Sequence, residues 1–357
     1  MGDRMIGLAS VMVLARAVGA EVFLDRPFLP DLFDNAPTQD AETPPYHIDF
    51  LDTRFRYARL LAESDLSSLG PVTHVIGNEC FHYALYQNPR FRERLRDFDT
   101  DLREAYRDIF GTLLRPRPVV AEAVSRLVEE RGTRSLAGVQ LRTGLLQREF
   151  PHFSPSDLVR YCHAIADALP GPKAEHVAFV TADNNRMASM ARGILEQRGV
   201  ATIGVEAPVF HISYHAHRDS VDARLKLVTD LLTLARCDRL FISLQSNFGR
   251  VAYLLGTPKE AWGLYGRNFD LVPLADAYMA SSKHLVYNDS VMAQLGGLLG
   301  FRYYGELDAL GRTALVARAI PAFAAAAAGT LLRSGRLPFR EGLRLVMEAL
   351  HAAEEAP

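Results

Sequence analysis

An α/β fold with a doubly wound parallel sheet is predicted for the second half of the chain, from three observations. Between residues 136 and 264, short bounded apolar runs alternate with amphipathic segments, the pattern of strands covered on both faces and joined by helical crossovers. Polar residues gather where those runs end, at Gln140-Leu141-Arg142-Thr143-Gly144, Thr181-Ala182-Asp183-Asn184 and Ser243 to Asn247, and such sheets bind ligands at the carboxyl ends of their strands. The 357 residues are 48% hydrophobic and 23% charged, enough to bury an ample core in two domains of ordinary size.

Taken in order, Gly2-Asp3-Arg4-Met5 leads into a helix, IGLASVMVLARAVG, that stops at Gly19, and then into a strand over Glu21–Asp25. Glycine turn, helix and strand form the second half of a βαβ unit, which predicts a first strand upstream of Gly2 in a segment outside this chain. Pro-rich irregular sequence follows to about Pro45, then strands near His47–Leu51 and Val72–Ile76. Residues 81–131 read as consecutive helices: FHYALYQ, RFRERLRDF, DLREAYRDIFGTLL, and VVAEAVSRLVEER after Pro116 and Pro118. The alternating arginines 90, 92, 94 and 96 make a solvated face.

From Leu136 the rhythm is regular. Strands are predicted at 136–142, 176–183, 200–205, 239–243 and 259–264, separated by helices SDLVRYCHAIADAL, NRMASMARGILEQRG, a long one ending at Arg236, and FGRVAYLLG. In the long helix Leu227, Leu231, Leu234 and Ala235 mark the buried face, and Asp230 lies on its flank. Past Gly266 the rhythm is lost, and alanine-rich helices from Leu307 to Ala353 form a packing extension. The expected domains are 1–134, 135–270 and the helical 271–357.

Composition excludes several classes of function. A net charge of −2 gives no general pull toward nucleic acid, so an anion must be held by a local site. The three cysteines, Cys80, Cys162 and Cys237, are widely spaced in apolar contexts and fit neither a zinc site nor a disulfide framework. Ala314–Leu332 is the nearest thing to a membrane span, but alanine is weakly apolar and Arg318 and Pro321 interrupt it, so it reads as a docked helix.

Two stretches carry chemistry. Ser243-Leu244-Gln245-Ser246-Asn247 sets hydroxyls and amides where a helix begins, so it either binds a phosphate on the helix N-terminus or merely caps the helix. Arg142, at a strand end beside Gly144, is either a guanidinium facing a phosphate or a partner in a structural ion pair. Asp99-Thr100-Asp101 precedes a helix directly and reads as its N-cap. His211, His215 and His217 fall in an irregular linker without a matching carboxylate, although His217 could serve the donor cleft.

Three motifs in order, Gly2-Asp3-Arg4-Met5…Leu8-Ala9-Ser10…Leu14-Ala15, Gly138 to Gly144, and Ser246-Asn247-Phe248-Gly249-Arg250-Val251-Ala252, resemble those of the GDP-fucose-dependent fucosyltransferases. That group joins the α-1,6-, rhizobial nodulation, protein O- and xyloglucan enzymes. The resemblance spans about residues 2–265. It implies a GT-B architecture of two facing Rossmann-like domains and inverting transfer of fucose, with no metal and no cofactor. The partners implied are GDP-fucose and a glycan or protein acceptor, and the compartment is the Golgi or another secretory site in a eukaryote, the cytoplasm in a bacterium.

The same resemblance distributes roles. The essential arginine of the His-x-Arg motif falls on Arg142, with Gln140 in the histidine position and Thr143 following. The serine of the diphosphate loop falls on Ser246, continued by Asn247 and Phe248, and the guanine-binding aspartate sixteen residues earlier falls on Asp230. Asp183 sits where the family contacts the nucleotide, and the Gly-x-Asn-Arg loop maps onto Gly2, Asp3 and Arg4, with Asp3 replacing asparagine. Glu149 is the nearest carboxylate to serve as general base, or else a solvated loop residue. The departures at Asp3 and Gln140 keep open a second reading, an inactive nucleotide-sugar-binding or scaffold protein, and a third with a different donor sugar.

Overall fold

The computed structural model describes residues 2–24, 28–35, 46–49, 73–76, 85, 88, 90–91, 94–95, 103–143, 155–209, 220–243, 246–265 and 270–273. The fold is α/β. Helix α1 runs Gly2–Val18, and Gly19 ends it with φ +73°, the left-handed conformation glycine adopts without strain. The strand expected at residues 21–25 is reduced to one bridging residue, Leu24. An antiparallel pair forms instead between β1 (Phe33–Asn35) and β4 (Leu114–Pro116). The helix expected through Leu114 ends early, as α2 (Arg103–Asp108) followed by a π-helical turn at Ile109–Leu113. Pro116 keeps Arg115 extended within β4, and a proline is itself suited to a first helical turn. Pro118 begins α3 (Pro118–Glu129).

The strands expected near His47–Leu51 and Val72–Ile76 form as β2 (Tyr46–Asp49) and β3 (Thr73–Ile76), which pair in parallel. Most of the expected helices between 81 and 98, and the extension beyond 273, lie outside the described residues.

The main sheet contains β5 (Ser135–Leu141), β6 (His176–Ala182), β7 (Ala201–Ile203), β8 (Arg239–Ser243) and β9 (Glu260–Tyr265), all parallel. Its crossovers are α4 (Pro155–Ala168), α5 (Asn185–Gln197), α6 (Val221–Leu234) and α7 (Asn247–Leu255). A sixth strand that the sequence reading missed, β10 (Asp270–Pro273), runs antiparallel on β9. The order β10-β9-β8-β5-β6-β7 is doubly wound, reversing direction between β5 and β8.

Strand residues alternate between two cores. Ala137, Val139, Leu141, Ala178 and Val180 face α4 and α5, packing with Tyr161, Ile165 and Leu195. Leu136, Val177, Phe179, Leu240 and Ile242 face α6 and α7, and the same core continues through α1 to Phe33 and Phe110. α7 is buried on nearly every side from Gly249 to Leu254, because the sheet lies beneath it and α1 and α6 flank it.

Candidate functional site

The crevice of a doubly wound sheet opens at the carboxyl ends of the two strands where the order reverses, here β5 and β8. Ser243, the last residue of β8, joins them: its Oγ accepts the Arg142 N–H at 2.9 Å and donates to the Gln140 carbonyl at 3.3 Å. Arg142 is thereby fixed at the root, directly over the switch point.

Asp183 fixes it from β6. Its Oδ1 accepts the Thr143 N–H at 2.8 Å and the Thr143 hydroxyl at 2.5 Å, and its Oδ2 lies 3.5 Å from Arg142 Nη1. The two side chains are 16% and 7% exposed, so the ion pair is largely out of water and orients the guanidinium more firmly than a surface pair does. The ion-pair role and the site role open for Arg142 on sequence grounds are compatible in this geometry.

At the start of α7, Ser246 is in extended conformation and its side chain makes no capping hydrogen bond. Its N–H donates to the Ser243 carbonyl at 2.8 Å, closing the turn, while Asn247 Oδ1 accepts from Arg250 Nη1 at 3.0 Å. Of the two uses the sequence leaves open for Ser246, capping is the one not made. Phe248 is half-buried on the same turn.

The first turn of α1 lies against this turn. A Cβ added to Gly2 would stand 2.5 Å from the Asn247 carbonyl carbon and 2.5 Å from the Phe248 nitrogen, so backbone touches backbone and no larger residue fits. Two helix N-termini, each carrying about half a positive charge, are thus side by side. Arg4 is exposed, its guanidinium 5.5 Å from the centre of the Phe28 ring, a cation–π geometry. The expectation that Gly2 and Arg4 belong to a loop is corrected, because both stand in the first turn of a helix.

Asp230 also differs from expectation. It is not on the flank of α6 but on the face toward the sheet, 4% exposed, because that face follows Ala223, Lys226, Asp230 and Thr233 rather than the leucines alone. Lys226 Nζ donates to its Oδ2 at 2.7 Å, as does the Thr181 hydroxyl at 2.6 Å. Burial pushes the Asp230 carboxyl above the ordinary carboxylate range, and Lys226 and Thr181 pull it back. Gln140, in register with Thr181 on the neighbouring strand, is buried with Oε1 close to Gly249, where a Cβ would come within 2.9 Å of it.

Ser243 and Thr181 stood in the sequence reading only as members of their polar turns, and Lys226 had no role there. The one available signal was that Lys226 lies one helical turn before Asp230. Glu149, Gly144, the three linker histidines and Asp99–Asp101 lie outside the described residues, as does the Asp3 side chain. Among the described residues no group of three or more His, Cys, Asp or Glu side chains could hold a metal ion, and no helix is long and apolar enough to cross a membrane.

No family model matches the sequence, and no curated protein matches it. Solved structures do resemble it. An arginine-to-lysine variant of FUT1 from Arabidopsis thaliana in complex with GDP is 18% identical and covers 76% of this chain and 71% of its own, with a TM-score of 0.57. The fucosyltransferase NodZ from Bradyrhizobium is 18% identical over 76% of this chain and 94% of its own, with a TM-score of 0.50. The chain therefore has a fucosyltransferase-like fold.

Proposed function

We propose that the chain is a glycosyltransferase that uses a GDP-sugar, transferring fucose with inversion to a hydroxyl of a glycan or protein. The observation that carries this reading is Arg142, held over the switch point by Ser243 and Asp183 beside the paired N-termini of α1 and α7. Backbone N–H groups at a helix start and a permanently charged planar fork together suit a diphosphate. The GDP in the structurally similar FUT1 supports the choice of nucleotide. As the bond from C1 to the β-phosphate oxygen breaks, negative charge builds on that oxygen. Preorganised donors aimed at such charge are the largest kind of catalytic contribution.

In this reading Ser246, Asn247, Phe248, Gly2 and Arg4 line the diphosphate end, Gln140, Thr143 and Asp183 support it, and Asp230 reads the base. Glu149 takes the acceptor proton. The domain division at 134/135 belongs to the same proposal, as does the helical extension, whose expected start at 271 is corrected because residues 271–273 belong to β10 of the sheet. Arg142 and the helix N-termini supply the positive charge, so turnover is expected to survive a chelator. Loss with EDTA and recovery with manganese would revive Asp99-Thr100-Asp101 as a metal site.

Melting temperature measured with GDP, UDP, CDP and ADP tests the nucleotide. A ligand present at one hundred times its Kd stabilises by about 2.7 kcal/mol, so GDP alone should raise Tm by several degrees. An equal response to all four would sink the reading. Gln140 favours a second possibility, a binding protein without turnover, because an amide cannot titrate where the family has histidine. GDP binding with no consumption of GDP-fucose across candidate acceptors would select it.

A further inference from the structure

Lys226 and Asp230 form an ion pair one helical turn apart, with each side chain 5% exposed. Pairs at this spacing ordinarily lie on a solvated flank, and a buried pair is weak evidence for stability because apolar residues of similar volume would often pack as well. The bonding is lopsided. Lys226 Nζ and Thr181 Oγ1 both donate to Oδ2, while Oδ1 is buried with no hydrogen-bond partner. A buried acceptor left unmet is costly and calls for an explanation, and a carboxylate oxygen is the strongest acceptor the chain offers.

We propose that Lys226 is the positioning residue that sets base specificity. Together with Thr181 it occupies Oδ2, which closes the two-oxygen grip a free carboxylate would apply to guanine N1–H and N2–H, and leaves Oδ1 as a single reader of the N1–H. The ligand class is the nucleoside diphosphates of 6-oxopurines, guanine and hypoxanthine alike. Adenine is refused because its N1 carries no hydrogen. This rests on the reading of Asp230 as the base contact. Among the described residues Lys226 is the one charged group acting on the Asp230 carboxyl, and Thr181, from the strand beneath, is its other polar partner.

The test is calorimetric binding of GDP, IDP and ADP to the full chain. The wild type should hold GDP and IDP within about threefold of each other and ADP at least about thirtyfold more weakly, since one charge-assisted hydrogen bond is worth roughly that ratio. Thr181→Val removes an Oδ2 donor without uncovering a charge, and should open the GDP:IDP ratio toward about tenfold. Lys226→Met leaves the buried carboxyl without its counter-charge, so the rise of GDP affinity with ionisation should lie at higher pH than in the wild type. Lys226→Arg should restore the wild-type profile.

A GDP preference over IDP above about tenfold in the wild type overturns the single-oxygen grip without any variant. A pH profile in folded Lys226→Met that matches the wild type overturns the positioning role and leaves a structural pair. If the wild type binds no nucleotide, the glycosyltransferase reading itself fails and takes this inference with it. Binding of GDP and IDP that is unchanged in Asp230→Asn removes the base contact alone.

Discussion

The two faces of the parallel sheet are built from the same strands and differ completely at their upper ends. Toward α4 and α5, β5 and β6 present Ala137, Val139, Leu141, Ala178, Val180 and Ala182, apolar up to the carboxyl end, above a buried His176 at the foot of β6 whose Nε2 shares a hydrogen bond with the Pro170 carbonyl at 2.6 Å. Toward α6 and α7 the same strands begin with Leu136, Val177 and Phe179 and finish with Gln140 and Thr181, beneath Asp230 and Lys226. At the carboxyl ends of β5 and β6 the polar side chains lie on the face toward α6 and α7. One face therefore supplies stability, and the other spends part of its burial on groups that need partners.

The largest effect that sharpens this contrast comes from the apolar face. Ile165→Ala, at a fully buried position, should cost about 2–5 kcal/mol of unfolding free energy and leave GDP affinity unchanged in the folded protein. Denaturant unfolding and calorimetry on one preparation check both halves. A variant that keeps its stability but loses GDP would break the division of labour.

Arg142→Lys should do the reverse. Lysine keeps the charge but not the fork, so kcat should fall by about 3 kcal/mol of transition-state stabilisation while Tm and GDP affinity change little. A fall in Tm with kcat intact would make the Arg142–Asp183 contact purely structural.

The effect that is smallest over any one unit of pH is a pH dependence. Burial pushes the Cys162 thiol on the apolar face from 9.0 up to about 12. In that window the unfolded chain loses the proton and the folded one keeps it, so this thiol's contribution to stability is whole below pH 9 and falls by about 1.4 kcal/mol per unit above it. Unfolding free energies in the alkaline range should therefore decline less steeply for Cys162→Ala than for the wild type.

Periodicity made the regular half legible: all five parallel strands and the four crossovers were predicted within a few residues, because strands buried on both faces leave continuous apolar runs. β10 was not, since an edge strand of four residues has no such run. On α6 the burial of Leu231 and Leu234 was foreseen, but the buried face is wider than the leucines and takes in a Lys–Asp pair that no hydropathy pattern marks. At the candidate site, Arg142 and Ser246 were singled out through motif resemblance and spacing. The bonds of Ser243 and Asp183 join residues 40 and 101 positions apart and were visible only once the strands were aligned.

The antiparallel β10 has a consequence for how copies of this chain meet. An uncovered strand offers a row of unpaired N–H and C=O groups to any other strand, and so invites edge-to-edge association. On one side β10 pairs with β9 and begins with Asp270, while Pro273 at its end has no N–H to offer. On the other side the sheet finishes at β7, only three residues long. Among the described residues both borders of this six-stranded sheet are too short or too blunted to template a neighbour, so these two edges should resist joining those of another copy in a crowded solution.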